Sequence, residues 1–239
     1  MDNASAATLS RDTDWNTQRR TVLRDAFAVG AATGAYGLSF GAIGTAAGLS
    51  VWQSSALSLL MFTGASQFAL IGVLGAGGSA LAAAATAALL GSRNAFYGLR
   101  LSDILATRGP RRLVAAHLVI DESSAMAVMR PDKRAARLAF WSTGWSVFAL
   151  WNIATLLGAL GAHAIADPKA LGLDAAAPAA FLALLAPQLR DRNTWAPCAA
   201  AVVLALLLTP VLPAGAPILV AAALIVLVGI RTSQEAGRS

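Results

Sequence analysis

Residues 26–92 read AFAVGAATGAYGLSFGAIGTAAGLSVWQSSALSLLMFTGASQFALIGVLGAGGSALAAAATAALLGS, 67 positions without one Asp, Glu, Lys or Arg. A water-exposed domain does not leave so long a stretch uncharged. A hydrocarbon core about 30 Å thick takes ~20 apolar residues per helical crossing, so this stretch alone supplies about three segments. The chain is therefore expected to be integral to a membrane. Its informative residues are the few polar ones stranded inside.

Outward from that stretch, Leu138–Ala166, Ala175–Leu189 and Asn193–Ile230 are also free of charge. Hydrophobic residues make up 57% of the chain and mean hydropathy is +0.64, so the membrane reading does not hang on one window. The net charge of +6 comes from short basic clusters between apolar segments. Such clusters read as topology signals for an anionic cytoplasmic face. Nucleic-acid binding is excluded, since no basic stripe interleaves with aromatics. The lone Cys198 excludes an internal disulfide and a multi-Cys metal site, and reads as a packing residue. No cofactor is expected. The first 25 residues hold four Arg and four Asp and no apolar core, unlike a signal peptide. The organisation expected is a mobile cytoplasmic tail over 1–25, one transmembrane domain over 26–230, and a short cytoplasmic tail over 231–239.

The fold class expected is an all-α polytopic membrane protein of seven or eight transmembrane or re-entrant segments, some broken. Segment 1, about Ala26–Gly48, carries glycines every three or four residues (Gly30, Gly34, Gly37, Gly41, Gly44), which permits close backbone approach and also makes a helix easy to break. Segment 2 is about Val51–Leu74 and segment 3 about Ser79–Leu105. Segment 4, Leu113–Met129, is short, with Asp121-Glu122 near its middle. Segment 5 is about Ala139–Ala162, segment 6 about Ala175–Leu189, and segments 7 and 8 follow to Ile230. The clusters at 130–137, at 190–192 and after 230 face the cytoplasm if segments 5–6 and 7–8 are hairpins, which puts the C-terminus inside. The cluster at 108–112 conflicts with the one at 130–137 unless segment 4 is re-entrant. A weak internal repeat relates Leu49-Ser50-Val51 through Gln67 to Leu171-Gly172-Leu173 through Gln188. Interrupted segments in corresponding places point to a transporter site.

Three motifs could carry chemistry. In Gly64-Ala65-Ser66-Gln67-Phe68 the small residues can end one half-helix and start another with Ser66 as N-cap. The freed N–H groups would suit a carboxylate, and Gln67 supplies a donor and an acceptor. The alternative is a small-residue packing seam. Arg93-Asn94 bears the first charge after the long gap. The guanidinium needs a partner or a cavity, with Tyr97 one turn on to stack near it, or else it snorkels to the interface. Asp121-Glu122 is the third. Burial among apolar residues penalises two adjacent carboxylates, which makes them candidate proton carriers or counter-ions to Arg93. The alternative is a solvated pair at the interface. His117, one turn earlier, could bond Asp121 or be structural. An intramembrane serine protease built on Ser66 with His117 or His163 is disfavoured, because Gln67 stands where that design needs Gly.

The order of these motifs resembles the AzlC family, the large subunit of branched-chain amino-acid exporters. The resemblance runs through Gly37-Leu38-Ser39-Phe40-Gly41, Ala47-Gly48-Leu49-Ser50 and Phe62-Thr63-Gly64-Ala65-Ser66-Gln67-Phe68. It continues through Arg93 with Tyr97-Gly98-Leu99, Asp121-Glu122, Trp151 with Thr155 and Gly158, and Leu171-Gly172-Leu173-Asp174 into Pro178-Ala179-Ala180-Phe181. It covers about residues 24–230. Departures are Ser92 where members have Asn, Asn94 where His is common, and Ala175-Ala176 for Phe-Ala. The resemblance implies a multi-pass inner-membrane permease that exports Leu, Ile, Val and sometimes Met. It also implies an ion or proton gradient as driving force and a small AzlD-type membrane subunit as partner. The site expected is Gly64, Ala65, Ser66, Gln67, Arg93, Asn94 and Tyr97 for substrate, with Asp121 and Glu122 for proton coupling. Other readings are an exporter of another small amphiphilic or anionic metabolite, and a non-catalytic membrane scaffold.

Overall fold

A computed structural model describes residues 3–163, 195–213 and 215–224, with side chains from residue 15. Segment 6, its preceding linker and the second half of the expected repeat lie outside the described residues, as does the His163 side chain. The regular elements among the described residues are helices: α1 (Asn3–Ala46), α2 (Val51–Leu60), α3 (Ala65–Gly75), α4 (Ala80–Gly91), α5 (Arg93–Leu105), α6 (Pro110–His117), α7 (Asp121–Val128), α8 (Lys133–His163) and α9 (Trp195–Leu208). A further stretch of helix covers 216–224. Where a mobile tail was expected, α1 runs unbroken from Asn3, and Val22 within it is fully buried.

The glycines of α1 do not break it. They form a seam against α8. A Cβ at Gly34 would sit 2.7 Å from the Leu150 Cβ, and one at Gly37 would sit 2.5 Å from the Trp151 carbonyl oxygen. Gly30 meets Ser146 and Gly41 meets the Thr155 carbonyl more tightly still, and Gly158 returns the contact on Leu38. Residue numbers rise together on both sides, so α1 and α8 are parallel. Small residues let two helix backbones approach this closely, which is how helices associate without a hydrophobic drive. Both are long and apolar enough to cross a membrane, over Trp15–Ala46 and Lys133–Ala162. Their outer faces expose Phe27, Leu38, Trp145, Ile153 and Leu157, and α9 buries nothing. In water such a surface is a liability; a membrane protein presents it to hydrocarbon.

Two helical hairpins enter this α1–α8 frame from opposite ends. Ser50 caps α2 by a reciprocal pair of bonds with Gln53, 3.2 and 2.8 Å. From there α2 runs back along α1, with Ser54 beside Gly44 and Ser58 donating to Thr155 at 3.3 Å. The chain turns at Met61–Gly64, and α3 returns until Gly75 lies against Ala47. Segment 2 is therefore a hairpin of two short helices that doubles back, where one spanning helix was expected. Next, α4 and α5 traverse the bundle with a break at Ser92: Gly91 reaches the level of Ser66, and the Ile104 carbonyl accepts from Arg137 Nε at the far end, 2.6 Å. From that end α6 rises until His117 packs on Phe62 and Phe148, ring centroids 6.0 and 5.6 Å apart. The chain turns at Leu118–Ile120, and α7 descends until Arg130 pairs with Asp25 at 3.1 Å.

Segment 4 is thus the second hairpin, of two eight-residue helices, each ~12 Å long at ~1.5 Å per residue. Arg108 and Arg111 share a cleft with Arg137, and Arg134 stacks on Trp15 of α1 at 3.8 Å. The clusters at 108–112 and 130–137 lie at one end, together with the N-terminal stretch of α1.

Candidate functional site: a cleft between two hairpin tips

At the first tip Gly64 caps α3 with φ +66° and ψ −101°, a conformation open to glycine alone. Gln67, fully buried, accepts the Gly64 N–H at 3.1 Å and donates to the Leu57 carbonyl at 3.5 Å. It staples the last turn of α2 to the first of α3. Ser66 is not the N-cap, as the sequence had predicted. It lies inside α3 with its Oγ against Gly91 of α4, since the turn closes two residues earlier. The Gln67 N–H already bonds the Gly64 carbonyl at 3.0 Å, which leaves the N–H groups of Ala65 and Ser66 without an intrahelical acceptor by position, and no acidic residue sits in the first turn of α3.

The second tip is built alike. Ser123, fully buried, accepts the Ile120 N–H at 3.1 Å and donates to the Leu118 carbonyl at 2.6 Å. Here, however, the first helical turn carries Asp121 and Glu122, which offset the positive end of their own helix. Arg93, first residue of α5, holds the Asp121 Oδ2 at 2.7 Å, and the Tyr97 hydroxyl meets the same carboxylate. Thr33 of α1 donates to Glu122 Oε1 at 3.4 Å.

A cavity of about 80 Å³ lies between the tips. Gly64 and Ala65 line it from the first and Asp121 and Glu122 from the second. Phe62, Phe68, Val147 and Trp151 form an apolar wall. Trp151 stacks on Phe40 and meets Phe68 edge to face, both 6.1 Å between centroids, and its indole Nε1 is buried without a hydrogen-bond partner. At ~10–15 Å³ for each water the cavity has room for several.

Of the nine residues the sequence singled out, Gly64, Ala65, Asp121 and Glu122 line the cavity, and Arg93 and Tyr97 reach it through Asp121. Ser66 and Gln67 do not line it; they pack and staple the tip. Asn94 lies outside too, its Oδ1 buried and unpartnered. His117 is held between Phe62 and Phe148, and no hydrogen bond joins it to Asp121. Sequence reading missed Thr33, Tyr36, Thr63 and Trp151 as cavity residues. Trp151 and Thr63 stand inside the stretches that carried the family resemblance. Thr33 and Tyr36 sit among small residues of α1, where only the arrival of α7 gives them a role.

No curated protein and no solved structure matches the chain. The family model described as AzlC protein matches residues 28–165, which include both hairpins, the α4–α5 crossing and all of α8. The match spans more than half of the chain, and the protein belongs to the AzlC family.

Proposed function

We propose that the chain is the substrate-carrying subunit of an exporter of branched-chain amino acids in the inner membrane, a polytopic protein coupled to a proton gradient. The AzlC family is associated with branched-chain amino-acid transport. The observation that carries the reading here is the opposite character of the two ends of one small cavity. The open N-terminus of α3 suits a carboxylate. Asp121 and Glu122 suit an ammonium group, and Phe62, Phe68, Val147 and Trp151 suit a branched aliphatic side chain. A zwitterionic hydrophobic amino acid has this arrangement of charge and apolar surface. Arg93 and Tyr97 act as positioning residues that orient Asp121, and Glu122 takes the proton-coupling role.

The basic end, with Arg108, Arg111, Arg130 and Arg137, faces the cytoplasm in this reading, by the bias of Lys and Arg toward that side. The C-terminus faces it too. An AzlD-type small subunit completes the transporter. It does not use the glycines of α1, which are filled by α8. Among the described residues the exposed apolar outer faces of α8 and α9 are surfaces open to it. The test is growth on toxic Leu- or Val-containing dipeptides, with and without the small subunit, together with efflux of labelled leucine from loaded proteoliposomes. Resistance and efflux that need both subunits and both carboxylates support the proposal. Efflux of leucine unchanged in the Asp121→Asn, Glu122→Gln chain overturns it.

A further inference from the structure

At the basic end a second cleft opens between the α5–α6 connection and the start of α8, with a volume of about 730 Å³. Arg108, Arg111 and Arg137 converge on it. Among the described residues none of the three has a carboxylate within ion-pair distance. Nearby charges are otherwise committed or set aside: Arg130 pairs with Asp25, Arg134 stacks on Trp15, and Asp132 caps the Ala135 N–H at 2.8 Å. Asp103 and Lys133 line the adjoining wall. Arg137 is fixed by its Nε bond to Ile104, which leaves the two terminal nitrogens of its guanidinium for a ligand. Ala106, on the rim, sits at φ +48°. That left-handed conformation costs a non-glycine residue ~1–2 kcal/mol and needs a reason to persist. It ends α5, with the Ala106 N–H bonded to the Ser102 carbonyl, ahead of the connection that carries Arg108.

The floor of the cleft is apolar. It consists of Leu105, Val114 and Trp141, and Leu113 is exposed just beyond on the outer surface. We infer that this cleft binds the phosphodiester headgroup of an anionic phospholipid, with the three guanidiniums on the phosphate and an acyl chain over Val114 and Trp141. A soluble phosphate would find the charge and leave the apolar floor bare. A lipid covers both, and guanidinium forks match phosphate oxygens. This inference needs the chain to sit in a bilayer, and is otherwise independent of what the transporter carries.

The test uses the purified full chain in neutral detergent, titrated with dioleoylphosphatidylglycerol, dioleoylphosphatidylcholine or inorganic phosphate, with the thermal unfolding midpoint as readout. Phosphatidylglycerol is expected to raise the midpoint saturably, and the other two to leave it in place. Arg108 and Arg111 are exposed, so R108Q/R111Q should fold, and it should weaken phosphatidylglycerol binding by roughly tenfold or more. The R19Q/R20Q control, at the same end and outside the cleft, should bind as the parent does. Native mass spectrometry of the unaltered chain should retain a phosphatidylglycerol through exchange into phosphatidylcholine. The inference is overturned if R108Q/R111Q binds as tightly as the parent or if R19Q/R20Q weakens binding equally. It is overturned too if inorganic phosphate alone gives the full shift, or if no lipid is retained.

Discussion

At the first tip α3 begins at Gly64-Ala65 with no acid in its first turn, and at the second α7 begins with Asp121 and Glu122. The two turns are otherwise close counterparts. Each interrupts a short helical hairpin, each is pinned by one buried polar side chain three residues on, and each aims a helix N-terminus at the same cavity. The difference shows how one architecture makes a two-signed site. A helix N-terminus is positive by construction. The first tip leaves that end open, whereas the second covers it with two carboxylates and presents their charge instead. Arg93 and Thr33 then hold one carboxylate each.

The largest expected effect comes from removing the frame that holds both tips. Gly41→Leu drives a side chain into the Thr155 carbonyl, at or beyond the ~3 kcal/mol upper range of core overpacking. Loss of folded protein by size-exclusion chromatography is expected; a well-folded, active variant would mean that the α1–α8 seam does not support the tips. Next comes the charge asymmetry itself. Asp121→Asn with Glu122→Gln should leave folding intact and lower leucine efflux by roughly 100-fold, the order of a lost charged hydrogen bond in a protected site. The single Glu122→Gln should also flatten the dependence of efflux on pH, measured by imposing proton gradients across proteoliposomes. If the profile keeps its shape, Glu122 is not the coupling group.

Gly64→Val tests the open tip. A β-branched residue does not accept φ +66°, so α3 should begin elsewhere, with a stability loss of ~1–2 kcal/mol and efflux reduced about tenfold. Equal efflux would show that the α3 N-terminus contributes nothing to the substrate. The staples sharpen the likeness of the tips. Gln67→Ala and Ser123→Ala each leave a tip N–H without its partner, and each should cost ~1–3 kcal/mol in chemical denaturation. A large effect from one and none from the other would break the parallel. The smallest effect is expected from Arg93→Gln. Its bond to Asp121 is part-exposed, so stability should move by under ~1 kcal/mol while the KM for leucine rises.

Much of this was legible in one dimension. Gly64-Ala65-Ser66 announced a break, Arg93 announced a carboxylate partner, and the clash between the clusters at 108–112 and 130–137 announced that segment 4 doubles back. Each of these is a local rule: small residues weaken a helix, a buried charge needs its opposite, and basic loops share a side. The roles within the break were not legible. Ser66 has the better capping side chain, yet Gly64 caps, because only glycine takes the turn that brings Gln67 back to it. Nor could the α1 glycines announce whether they would kink the helix, receive a partner subunit or seat another part of the same chain. That choice depends on α8, more than a hundred residues away.

The sequence by itself determined that the chain is helical, apolar enough for a bilayer and interrupted at Gly64 and near Asp121, because periodicity, charge absence and breaking residues act within a few turns. It also carried the family, through short motifs that survive without any knowledge of packing. Only the tertiary structure decided that segment 2 folds back as a hairpin and that α1 and α8 are parallel. Only there does Thr33 meet Glu122, and only there do Gly64 and Asp121, 57 positions apart, face one cavity. Those outcomes depend on which surfaces fit at contact distance, a property of pairs of helices that no single stretch of chain encodes.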